Sequence, residues 1–84
     1  MVKTHEITTT NTLFQTLSDG SRSFDIVKKD NNYQKGDYVL YHKKDETSET
    51  GIGDATILFK VTSVNVLDGL EDGNVIIALK VMDQ

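Results

Sequence analysis

The chain contains no cysteine and no proline, and no long apolar run. Without cysteine, neither a disulfide framework nor a cysteine-ligated zinc can hold a fold together, so a hydrophobic core must do that work alone. Without proline, no rigid linker marks an internal boundary. No segment approaches the roughly 20 apolar residues that span a bilayer. The opening "MVKTHEITTT" also lacks the apolar stretch of a secretory signal. These absences set the expectation of a cytoplasmic protein with no membrane partner. No phosphate-cradling GxxxxGK, nucleophile elbow or Rossmann glycine pattern occurs, which excludes the familiar nucleotide and serine hydrolase chemistries. His5 and His42 have no second ligand at metal spacing. The acids of "DETSET" and "DGLEDG" lack the alternation of a calcium loop. Neither a metal nor a cofactor is expected.

What is present is ordinary for a globular domain: 37% hydrophobic and 26% charged residues in 84. That length supports one core and one domain over residues 1–84. The net charge of −4 conceals an asymmetry. Residues 1–21 carry −1, residues 22–44 carry +3 and residues 45–84 carry −6. The positive segment can attract an anion, whereas the overall acidity opposes a strong non-specific grip on nucleic acid.

Periodicity places the elements. "HEITTT" is β-branched and alternating, a short first strand. In "TNTLFQTLSDG", Leu13, Phe14 and Leu17 recur at helical spacing, with Thr10 or Asn11 as N-cap and Gly20 as C-terminal cap. From Arg22 the period returns to two, with Phe24 and Ile26 on one face and Ser23, Asp25 and Val27 on the other. "NNYQKGD" reads as a loop, "YVLYHKK" as a strand and "DETSETGIGD" as a polar loop. "ATILFKVTSVNVL" reads as a long strand or bent pair, "DGLEDG" as a turn and "NVIIALKVM" as the last strand. The predicted fold is mainly β with one short helix (α+β), a compact barrel of about five strands with the helix over one opening. An open sheet is the alternative that pattern alone allows.

The candidate site lies in "DGSRSFDIVKKDNNYQKGD", where Arg22, Lys28 and Lys29 gather within eight positions of an acidic chain. Arg22 can grip a phosphate or carboxylate with two parallel hydrogen bonds, and Asp25 can orient it or accept from a base edge. The plainer alternative is an exposed Arg22–Asp25 pair. Lys28 and Lys29, with Asn31, Asn32, Tyr33 and Lys35, combine charge, amides and a ring suited to an unpaired base. The plainer alternative there is a solvated loop with Tyr33 folded onto the core. His5 can donate or accept near neutral pH if the first strand borders the same opening, and otherwise is a partly buried structural histidine.

The stretch "GSRSFDIVKKDNNYQKGDYVLY" resembles the signature of ASCH domains, the PUA-like β-barrels named for homology to activating signal cointegrator. It is closest to their small bacterial and phage branch of uncharacterised function. Of the family pattern GxKxxExR, Gly20 matches, Arg22 stands for the lysine, Asp25 for the glutamate and Val27 for the arginine; Gly36-Asp37 supplies the later pair. "THEI", the helix and "GLEDGNVIIALKV" extend the similarity over nearly the whole chain. The resemblance implies a PUA-like barrel with a cleft between helix and barrel, Arg22 and Asp25 at its edge and an RNA-related ligand inside. Val27 removes one anion contact from the family's arrangement.

Three functions follow as expectations. The first is an RNA- or nucleotide-binding module using Gly20, Arg22, Asp25, Lys28, Lys29, Tyr33 and His5, more a binder than an enzyme. The second is an amidohydrolase for acylated cytidine nucleosides, an activity of some ASCH relatives. Their catalytic lysine is here Arg22, a poor base, so Asp25 or Glu6 would have to serve. The third is a protein-interaction or phage accessory domain that has lost its ligand.

Overall fold

The computed structural model describes residues 2–45, 47, 49, 51–66 and 73–82. Five strands and one helix follow in the order β1 (Thr4–Thr9), α1 (Asn11–Ser18), β2 (Phe24–Lys28), β3 (Tyr38–Lys44), β4 (Ile52–Asn65) and β5 (Asn74–Val81). A short 3-10 turn, Lys29–Asn31, follows β2. The strands form a single sheet in the order β1-β3-β4-β5-β2, with β1 parallel to β3 and the other pairs antiparallel. The sheet curls into a half-barrel, so the expected mainly β architecture with one helix holds. Its free edges are β1 and β2.

The caps read from the sequence are the caps observed. Thr10 Oγ1 accepts from Leu13 N–H, and Gly20 follows the helix at φ +83, where a side chain would be strained. Phe14 and Leu17 face inward and join Val39 and Tyr41 of β3, Phe59 and Val61 of β4, and Val75, Ile77 and Leu79 of β5 in one core. The alternation in β3, β4 and β5 is the period of two of a sheet with one buried face.

Two departures affect the site. The loop expected over 45–54 is shorter, because β4 begins at Ile52 and pairs with Lys44. The possible bent pair is one long strand with a register shift between Val61 and Ser63, an irregularity that bends it without breaking it. Apart from Gly73, the turn expected over 68–73 lies outside the described residues, as do Glu46, Ser48 and Thr50. Among the described residues, no helix is long and apolar enough to cross a membrane.

Candidate functional site: the seam of the half-barrel

The two free edges of the sheet meet at a cleft of about 400 Å³. Ile7 lines it from β1, Asp25, Ile26, Val27 and Lys28 from β2, Asn31 and Tyr33 from the following loop, and Asn74 from β5. This is the stretch in which the sequence gathers its positive charge. The inward face of β2 carries Asp25 and Val27, while Phe24 and Ile26, 44% and 45% exposed, face outward. An acid therefore occupies the buried side of a strand whose larger apolar residues do not.

Asp25 tolerates burial at 8% exposure because donors surround it. Tyr41 Oη donates to Oδ2 at 2.7 Å, while Ile26 N–H at 2.9 Å and an Arg22 Nη at 3.3 Å donate to Oδ1. Arg22 also donates from Nε to the Phe24 carbonyl at 2.9 Å and lies over the Phe24 ring at 4.7 Å. The guanidinium is thus held on three sides, and both motif side chains cap peptide groups of β2. The expected Arg22–Asp25 pair forms, but its acid is buried where the plainer alternative had it exposed. Val27 is a buried core residue on the cleft wall.

Tyr41 belongs to the site, although in the sequence it is marked only as part of a strand. It is fully buried in the core, and its hydroxyl reaches Asp25 sixteen residues away in the chain. Burial first, then the charge and hydrogen bond of Asp25, push its phenol well above the ordinary range, with Arg22 opposing. The ring stays a neutral donor.

Tyr33 is 6% exposed, with its ring against His5 at a centroid distance of 4.1 Å and a tilt of 32°. It folds onto the core, the plainer of the two expectations, and offers the cleft a buried wall in place of a free stacking face. Burial raises its phenol, a hydrogen bond from Asn31 pulls it partly back, and Asp25 raises it further.

His5 lies behind that ring. Its Nε2 is 2.8 Å from Asp37 Oδ2, and Asp37 also accepts from the Lys3 N–H at 3.1 Å and the Gln34 N–H at 3.1 Å. Burial pushes the Asp37 carboxyl upward, but the bonds from His5, Lys3 and Gln34 outweigh it and hold it below the usual range. Asp37 is a clasp joining β1, the loop and the start of β3. This is the structural role that the "GD" pair performs here, and it places His5 among the supports of Tyr33 outside the cleft lining.

Lys28 borders both this cleft and a wider hollow of about 750 Å³ lined with Lys29, Asp30, Asn32 and Gly73. Lys28 therefore stands on the boundary between the cleft and the hollow, with Lys29 in the hollow beside it. Gly20 takes no part in the lining; its role is the helix cap. Only the spacing of Tyr41 in β3 could have hinted that one inward tyrosine would need a buried partner. No group of three or more metal-ligating side chains occurs among the described residues.

Residues 4–79 match the family model described as a domain of unknown function (DUF3850). No curated protein matches the chain.

Proposed function

We propose that this chain, which belongs to the DUF3850 family, is a nucleotide- or RNA-binding module whose site is the seam between β1 and β2. One observation carries the reading: a cleft walled by Ile7 and Val27, with a buried carboxylate on one side, is bordered by Lys28, and Lys29 lines the hollow beside it. Ile7 and Val27 suit the faces of a base, Asp25 and the two asparagines suit its polar edge, and the lysines suit a phosphate outside. The resemblance of residues 20–41 to the ASCH signature supports the same reading. Arg22 contributes by holding Asp25 and the Phe24 carbonyl, which leaves phosphate contact to the lysines.

Fluorescence anisotropy tests it, with labelled single-stranded RNA, duplex RNA and DNA, wild type against Lys28→Ala/Lys29→Ala. The expected result is single-stranded RNA binding that weakens by roughly tenfold or more in the double variant, since each ion-paired contact is worth about 1 kcal/mol or more. Failure of the wild type to bind any polymer or free nucleotide at low salt would remove the reading.

A further inference from the structure

The pairing of β2 with β5 sorts its peptide groups. The Ser23 carbonyl accepts from Leu79 N–H, and Lys29 N–H donates to the Gly73 carbonyl. With Asp25 opposite Ile77 and Val27 opposite Val75, the same parity turns the peptide groups of 23, 25, 27 and 29 toward β5. Those of Phe24, Ile26 and Lys28 face the seam. Of these, the Phe24 carbonyl is covered by Arg22 and the Ile26 N–H by Asp25, the Lys28 carbonyl opens the 3-10 turn, and the Phe24 N–H lies outside the cleft lining. Among the described residues nothing covers the Ile26 carbonyl or the Lys28 N–H, and both residues line the cleft.

One free acceptor beside one free donor is too little for an added strand, which needs successive pairs along the edge. It suits the edge of one planar heterocycle. The cap also changes what the neighbouring position offers. Where the Ile26 N–H would present a donor, the Asp25 carboxylate presents an acceptor. Asp25 has capacity left, because Oδ1 takes two bonds and Oδ2 takes one, from Tyr41.

Along the strand the wall therefore offers acceptor, acceptor, donor: the Asp25 carboxylate, the Ile26 carbonyl and the Lys28 N–H. Its complement is donor, donor, acceptor. Guanine carries that order on its pairing edge, as the 2-amino group, N1–H and O6. Cytosine offers one donor and two acceptors, uracil a donor between two acceptors, and adenine a single donor beside an acceptor. We propose that the seam cleft selects guanine, reading its pairing edge with Asp25 and the free peptide groups of Ile26 and Lys28. This inference rests on the nucleotide reading above.

The test keeps the protein unaltered and varies the ligand. Calorimetric titration compares the monophosphates of guanosine, adenosine, cytidine and uridine with inosine monophosphate, which lacks the 2-amino group, and the N1-methyl derivative of guanosine monophosphate. Guanosine monophosphate is expected to bind tightest. Loss of the 2-amino group or of N1–H each weakens binding by roughly tenfold, the usual effect of deleting one partner of a buried hydrogen bond. In amide NMR spectra, the Lys28 N–H moves downfield with guanosine monophosphate. If inosine monophosphate binds as tightly, or another base is preferred, the guanine assignment falls and the nucleotide reading stands. If no nucleotide binds, the guanine assignment falls, and the binding-module reading falls with it where single-stranded RNA also fails to bind.

Discussion

At the scale of single residues, the buried acids divide between two tasks. Asp25 presents itself to the cleft, while Asp37 holds three segments together. Asp25 was legible as a candidate because it sits beside Arg22 in a charged stretch. Its dependence on Tyr41 was not, since no local pattern joins residues 25 and 41; only the meeting of β2 and β3 across the core does. Asp37 carries a consequence for stability. Its carboxyl is held below the ordinary range in the folded chain, so its stabilisation is present above the unfolded value of about 3.9 and is lost as pH falls through the folded value. Asp37→Asn is expected to be less stable at pH 7 by about 1–3 kcal/mol, the usual cost of disrupting a hydrogen-bonded buried carboxylate. The gap should narrow between pH 7 and strongly acid pH, as pH falls through the folded value and the wild-type group takes up its proton. Urea midpoints at the two pH values check this; an unchanged gap would show that Asp37 acts through shape alone.

At the scale of elements, the helix and three of the strands were readable because their signals are local. Thr10 and Gly20 bracket the helix, and the alternation of Val39/Tyr41, Ile57/Phe59/Val61 and Val75/Ile77/Leu79 marks the core-facing side, although Val81, which continues the last series, is exposed. Alternation in β2 gave two faces, but not which of them is inward. Phe24 and Ile26 outweigh Asp25 and Val27 in apolar area, yet tertiary packing turns the acid inside, where Tyr41 and Arg22 await it. The early start of β4 was hidden by the polar, glycine-containing composition around Gly53. Arg22 has a second duty at this scale. By covering the Phe24 carbonyl, it blunts an edge strand flanked by exposed Phe24 and Ile26, the kind of edge that pairs with another copy. Arg22→Ala is expected to expose that carbonyl and promote self-association. Light scattering against concentration should show the variant growing beyond a monomer more readily than the wild type, and identical profiles would assign the cap no protective role.

At the scale of the whole molecule, charge and topology converge. The sheet order leaves β1 and β2 as edges, and the cleft falls between them because the half-barrel does not close there. The segment carrying +3 runs through one wall of that cleft, whereas residues 45–84 carry −6 elsewhere along the chain. A molecule with net charge −4 repels a polyanion at a distance, so any grip on RNA must come from a few local contacts. Each phosphate contact on a single strand contributes about −0.7 to the slope of log affinity against log salt. Lys28 and Lys29 together therefore predict a shallow slope of about −1.4 for wild type, far from the steep dependence of a basic nucleic-acid-binding surface. In Lys28→Ala/Lys29→Ala the slope should approach zero, while the remaining affinity keeps its preference among bases, because that preference comes from peptide groups and Asp25. Anisotropy titrations across a salt series measure both quantities at once. A wild-type slope several times steeper would mean that phosphates are engaged well beyond the rim of the seam, on a surface that this charge distribution does not supply.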